Sequence, residues 1–416
     1  MIARLTGPRG TVMGKLVWGA AHRKQRVPAH RGAAEIIPIV PDLDHASGGR
    51  PEIMSTNPEN PSRRQFLQRS SATGLALTAG AALAGTAALS RPALSQGRQR
   101  WRMVTSWAKG SAGPGTTADR LGERITAATA GKVEVEVLGA GELTSPFGVL
   151  DAVADGTAEM AHTASFFWAG RVAASTYFTT IPFGLSPSAH NAWIRFGGGQ
   201  ALWDEAYAPL DVKPLLAGNS GANMAGWFKS PLTGLSDLKG VRIRTAGLGG
   251  EIYRQLGAAT VTLPPSEIFG ALQSGAIDAV EFLGPFADRG LGFNQVADHY
   301  YFPGFNKPNG TAEALINANL WASLTPELQA AVHNACDAEN DAGLAEATWF
   351  NAQALDALRA EGTSIQEMPA EIIEAAKLAA EGILADFANT NAMTLKVAQS
   401  YERAVSTLSG WNEVQS

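Results

Sequence analysis

Leu238-Lys239-Gly240-Val241-Arg242-Ile243-Arg244 is the stretch on which this chain turns. Val241 to Arg244 alternate apolar and basic residues, the period of a short strand. That strand delivers Arg244 from a rigid element. A guanidinium held so grips a carboxylate through two parallel charge-assisted hydrogen bonds. The competing reading is an arginine that caps a neighbouring acid at a strand end, or one that sits in solvent.

Around this stretch, strand-like runs recur at Trp101–Ser106, Lys132–Leu138, Ala158–Thr163, Val241–Thr245 and Ala276–Glu281. Helical patterns lie between them, at Thr117–Thr129, Phe147–Ala154 and Glu251–Leu256. Strands alternating with helices predict parallel βαβ units. A weak internal echo links Val153–Ala161 to Leu272–Val280. Each copy reads as a helix ended by a left-handed glycine, then a tight turn into a short buried strand. Further on, Thr325-Pro326-Glu327 offers an N-cap, a proline at the first helical position and an early acid. It predicts a helix to about Glu361, a break at Gly362, a short strand at Thr363–Gln366, and helices from Pro369 to about Leu408.

Upstream, Pro61-Ser62-Arg63-Arg64-Gln65-Phe66-Leu67-Gln68 precedes an uncharged apolar run from Thr73 to Leu89, and Ala93-Leu94-Ser95 follows. This is a charged region, an apolar region and a small-residue cleavage site, with the paired arginines of a twin-arginine signal. At about 17 residues, rich in Ala, Gly and Thr, the run is short for a membrane span. Residues 54–95 are therefore read as a signal peptide and residues 96–416 as the mature protein. Residues 1–53 show no helical or strand period, and Met54 stands where translation would begin, so 1–53 are read as a non-native extension.

Through Ser95 there are 12 Lys+Arg against 5 Asp+Glu, which leaves 21 against 33 beyond it, a net charge of −12. So acidic a body is a poor binder of nucleic acid or of anionic membranes. Any anion site in it must work by a local field. Cys336, the only cysteine, excludes an intrachain disulfide and a thiolate metal cluster, and reads as a small core residue. The leader has no cysteine at its end for a lipid anchor, so the expected location is the periplasm, free in solution. About 320 mature residues exceed one comfortable core and imply two lobes. The first is expected at about 100–220 with the C-terminal helices, the second at about 221–320.

The stretch at Leu238–Arg244 resembles the LKGxKIR signature of the solute-binding proteins of TRAP transporters, the DctP family, in which the last arginine clamps an organic acid's carboxylate. The resemblance runs from about Trp101 to Leu408. His162–Trp168, Ile181–Leu185, Asn223–Phe228, Asp278–Pro285, and Asn317 followed by Leu320-Trp321 are similar to the subgroup that binds 2-oxo acids or lactate. What the resemblance implies is an α/β fold of two lobes, the periplasmic binding protein fold, with a hinge cleft and long C-terminal helices bracing the lobes. In some subgroups those helices swap between protomers, which would make a homodimer.

The subgroup pattern also places a metal ion, carried here onto the side chain of Asn223, Glu281 and the carbonyl of Phe282. Hard oxygen ligands suit sodium or calcium. No organic cofactor is implied. The subgroup has Gln where Asn223 stands and Trp where Phe282 stands, so this chain departs from it twice. For Glu281 the alternative is a strand-end acid paired with a lysine or arginine in the hinge. Trp107, Phe167 and Trp168 are the candidates for apolar walls. Asn317 reaches toward the ligand in the family; a strand-end turn residue is its alternative. The expected function is capture of a small organic acid, gripped by Arg244, for delivery to the TRAP membrane permease. Two other readings stand beside it: a receptor of the same family for another carboxylate, such as a dicarboxylate or sugar acid, without a metal, and a cofactor oxidoreductase, a class often exported by the twin-arginine route. The oxidoreductase finds no cysteine cluster, haem motif or dinucleotide fingerprint here, and the His residues show no paired-ligand spacing.

Overall fold

The computed structural model describes residues 97–415. The readings of 1–53 as an extension and of 54–95 as an export leader lie outside the described residues. The strands are β1 (Gln99–Thr105), β2 (Val133–Leu138), β3 (Met160–Thr163), β4 (Val212–Asn219), β5 (Gly226–Phe228), β6 (Arg242–Arg244), β7 (Ala259–Val261), β8 (Ala279–Val280), β9 (His299–Phe302), β10 (Thr311–Asn317) and β11 (Ser364–Glu367). The helices are α1 (Pro114–Ala128), α2 (Val149–Ala154), α3 (Pro187–Phe196), α4 (Gly199–Tyr207), α5 (Leu248–Gln255), α6 (Pro265–Ser274), α7 (Pro285–Gly290), α8 (Ala318–Ser323), α9 (Pro326–Ala360), α10 (Ala370–Ala388) and α11 (Ala392–Gln415). All five runs expected as strands and all three expected as helices appear, with shifted ends.

Two sheets make the two lobes, one ordered β2-β1-β3-β10-β4 and the other β11-β9-β5-β8-β6-β7. Residues alternate along the first half of β1, where Trp101 and Met103 are buried while Arg100 and Arg102 face outward. The neighbouring strands β3 and β10 are buried on nearly every residue, as strands covered on both faces must be. Gly156 after α2 and Gly275 after α6 have φ of +79° and +75°, so both copies of the echo end their helix with a left-handed glycine.

Neither sheet is purely parallel. In the first, β10 runs antiparallel to β3 and β4; in the second, β5 runs antiparallel to β8 and β9. These are the two strands that the chain enters on crossing from the other sheet rather than through a covering helix. A crossing strand arrives from the opposite side. The same crossing corrects the second lobe's expected span: β10 lies within 221–320 yet belongs to the first sheet.

Thr325 Oγ1 accepts from the Leu328 N–H and opens α9, which bears on both lobes. On the first, Arg120 of α1 pairs with Glu339 and Glu346; on the second, Asn351 Oδ1 accepts the Phe286 N–H at 2.9 Å and Phe350 stacks on Phe286. Helix α10 packs Ile372 and Ala376 against Ile252 and Tyr253 of the second lobe. Helix α11 sets Tyr401 against Tyr177 and Trp193 of the first. Among the described residues no helix is long and apolar enough to cross a membrane.

Candidate functional site

The segments after β1, β3 and β8 and the last residue of β6 all reach one cavity between the lobes, at the carboxyl ends of parallel strands, where open α/β sheets bind ligands. The two crossings, Ser220–Ala225 and Pro303–Gly310, form its back. They are tied side by side: the Ser220 N–H donates to the Gly310 carbonyl at 2.9 Å, and Asn219 Nδ2 to Asn309 Oδ1 at 2.9 Å. The cavity holds about 50 Å³, room for on the order of four water-sized groups. That is the scale of a small acid.

Arg244 ends β6 and is 1% exposed. Its Nε and one terminal nitrogen donate to the Leu263 carbonyl, and the other terminal nitrogen donates to the Glu281 carbonyl at 2.9 Å. A guanidinium has five N–H donors. Three are spent on carbonyls, which leaves one on each terminal nitrogen, and no described carboxylate takes them. Burial pulls its pKa down to about 10, against the opposing fields of Glu281 and Asp288. The charge is thus fixed in position by neutral groups, over the Phe282 ring at 5.5 Å.

Glu281 is fully buried, its Oε2 accepting from Thr245 Oγ1 at 3.0 Å and its Oε1 lying 2.8 Å from Lys307 Nζ. Lys307 Nζ also donates to the Phe282 carbonyl at 2.6 Å. Its pKa is lowered, first by burial and then by Arg244, with Glu281 acting against both. The alternative for Glu281, an acid paired with a hinge cation, is therefore present. The same geometry tests the metal set. Two of the three assigned oxygen donors already converge on one cationic atom, so the pair suits a cation. Asn223 is 5% exposed and lines the cavity, with Nδ2 unpartnered and Oδ1 meeting only Ser220 Oγ at 3.4 Å. The residues fit a hard cation, at a position where an ammonium now sits.

Behind this loop lies Asp288, buried, accepting from Tyr300 Oη at 2.8 Å, Trp227 Nε1 at 3.2 Å and the Leu283 N–H at 3.0 Å. Burial pushes its pKa up to about 7, against those three hydrogen bonds. It pins the strand-end turn that carries Glu281 and Phe282, of which Phe282 lines the cavity. Trp227 is core, stacked on Tyr300 at 4.0 Å.

The first lobe supplies rings. Trp107 Nε1 donates to His162 Nδ1 at 2.8 Å, and His162 Nε2 meets the Ala217 carbonyl at 3.0 Å, which puts the imidazole proton on Nε2. Burial lowers the His162 pKa to about 4, so the ring is neutral. Phe167 packs against Trp107, Phe147 and Phe166, and Trp107, Phe166 and Phe167 line the cavity.

Two expected ligand residues stand elsewhere. Trp168 turns into the first core and donates to Glu313 Oε1 at 2.7 Å. Asn317 caps α8, accepting from the Leu320 N–H at 3.1 Å and donating to the Val153 carbonyl at 2.9 Å. It lies at the far end of β10 from Thr311, which does line the cavity, on the order of 20 Å away at strand rise. Lys307 and Asp288 were not singled out by the sequence. The one signal for Lys307 was the generic hinge cation allowed as a partner for Glu281.

Two α/β lobes meeting over a small cavity, with a buried arginine keeping two donors in reserve, define a two-lobed solute receptor. The chain belongs to the DctP family, bacterial extracellular solute-binding protein family 7, whose model matches residues 104–391. It is 38% identical to a monocarboxylate 2-oxoacid-binding periplasmic protein of Nostoc sp. PCC 7120 over 315 residues, 76% of this chain and 86% of that one. Among solved structures it resembles a TRAP transporter solute-binding protein of Bordetella bronchiseptica RB50 with copurified calcium and picolinate (34% identity, TM-score 0.74, 76% of this chain and 94% of that one). It also resembles a TRAP periplasmic solute-binding protein of Pseudoalteromonas atlantica T6c with bound sodium and pyruvate (28% identity, TM-score 0.73, 76% and 97%).

Proposed function

We propose that this chain is the extracytoplasmic receptor of a TRAP transporter, capturing a small 2-oxo monocarboxylate such as pyruvate, or lactate, for a membrane permease. One observation carries the reading: the Arg244 guanidinium, buried and anchored only by carbonyls, keeps a donor on each terminal nitrogen beside the cavity. Those donors take the acid's carboxylate. Trp107 and Phe167 close over its carbon chain. Asn223, Glu281 and the Phe282 carbonyl would hold a sodium or calcium ion, which supplies positive charge to the carboxylate and the adjacent keto or hydroxyl oxygen. The Nostoc relative supports the acid class, and the two solved neighbours, one with calcium and picolinate and one with sodium and pyruvate, support an acid bound together with an ion. Contact with both lobes lets the ligand favour the closed form.

Export by the twin-arginine route belongs to the same reading, on the strength of Arg63-Arg64 and the apolar run after them. So does a homodimer through the C-terminal helices, supported by Trp411 and Val414, which α11 leaves exposed near its end. Calorimetric titration with pyruvate, longer 2-oxo acids and lactate, each with and without chelator and sodium, tests the core of it. Ion-dependent binding at about micromolar Kd or tighter is expected. Ion-independent binding of another acid would discard the metal and keep the receptor. No binding of any carboxylate would end the proposal.

A further inference from the structure

The second crossing carries a cation that the acid site as described leaves without a role. Lys307 sits in Phe305-Asn306-Lys307-Pro308-Asn309-Gly310, between β9 and β10, and is 3% exposed. Its ammonium touches Glu281 Oε1 and the Phe282 carbonyl at 2.8 and 2.6 Å. These are two of the three donors assigned above to the metal ion. An ammonium is a compact point charge with three donors, so it satisfies hard oxygens much as a small metal ion does. Two cations on the same pair of oxygens would repel at short range in a poorly screened interior.

We propose that Lys307 is a tethered competitor for the metal ion, holding Glu281 and Phe282 in the ion-free receptor and leaving them when the ion binds. This rests on the reading of a metal-assisted acid site. The lysine has somewhere to go, because it also lines the cavity that Arg244 faces. Released there, its ammonium adds a second positive charge for the acid's carboxylate. The ion on its own therefore binds weakly, and acid and ion each strengthen the other's binding by the same factor.

Calcium titrated into chelator-stripped protein, with and without pyruvate, reads this directly. Lys307→Met keeps the apolar stem and removes the charge, and is expected to bind calcium alone about tenfold or more tightly than wild type. Lys307→Arg keeps the charge and the weak affinity. Equal or weaker calcium binding by folded Lys307→Met would overturn the proposal. So would calcium failing to bind any variant, or wild-type acid binding that ignores calcium while Lys307→Met requires it. Should Lys307→Met not fold, wild-type protein labelled with ¹⁵N at lysine Nζ decides: the buried Lys307 signal is expected to shift or broaden on calcium saturation, and an unmoved signal overturns the idea. Failure of wild type to bind pyruvate under every ion condition sinks the acid reading instead, and leaves the calcium comparison readable.

Discussion

The two lobes meet the cavity with opposite chemistry. The first presents Trp107, Phe166 and Phe167, set by a neutral chain from Trp107 through His162 to the Ala217 carbonyl. The second, with the crossings, presents Arg244 and Lys307, which with the fully buried Glu281 are in mutual electrostatic contact. A wall made of rings and uncharged hydrogen bonds can only offer shape. In a floor made of charges, Glu281 and Lys307 are paired with each other without ligand, while Arg244 has no carboxylate in contact among the described residues. Discrimination by size should live on one side, and affinity on the other.

Arg244→Ala tests the floor most severely. A carboxylate brought into the cavity without its partner is expected to lose affinity by a factor of about one hundred or more in calorimetry. Arg244→Lys should also fail, because the planar fork is lost. Glu281→Gln comes next: ion dependence of acid binding should disappear, with wild-type and chelated titrations of the variant superimposing. Phe167→Ala should be milder, weakening pyruvate by about threefold to tenfold and relaxing selection against longer 2-oxo acids, since rejection by an apolar wall is worth only about 1–3 kcal/mol. Were Phe167→Ala as damaging as Arg244→Ala, the division between shape and charge would fall.

The smallest effect separates the first lobe by pH. His162 and His190 are buried and neutral, with pKa lowered by burial to about 4 in each. The unfolded chain protonates its histidines near pH 6.5, so it binds the extra protons between about 4 and 6.5. Their share of stability is full above that window and drains as pH falls through it. Glu313 has the opposite sign. Burial raises its pKa to about 8, so its contribution is whole below about 4.5 and is lost as pH rises through 8. Thermal melts should show Glu313→Gln losing less stability than wild type between pH 6 and 9. A parallel loss in the two proteins would contradict the assignment.

Much of this was legible in the sequence, for identifiable reasons. Strands such as β1 and helix starts such as Thr325-Pro326 carry their signal locally. Arg244 was legible because a short signature fixes both its strand and its position at the strand's end. What failed depends on direction. Asn317 and Thr311 belong to one strand, and nothing local says which end of β10 faces the cleft. Trp168 differs from Phe167 by one step around a single turn of 3₁₀ helix, and that step points it to Glu313. The antiparallel strands and the place of Lys307 follow from where the chain crosses between sheets, which is a property of the whole path.

Cys336, the chain's one sulfhydryl, lies on the face of α9 that packs with Val332 and Ala335 against Leu215 and Ala217 of the first sheet. It is fully buried, and burial holds its thiol well above the usual range. A thiol reagent reaches it only while that helix is lifted away. The labelling rate of a single sulfur then becomes a clock for how often the brace lets go, readable without introducing any probe into the cleft.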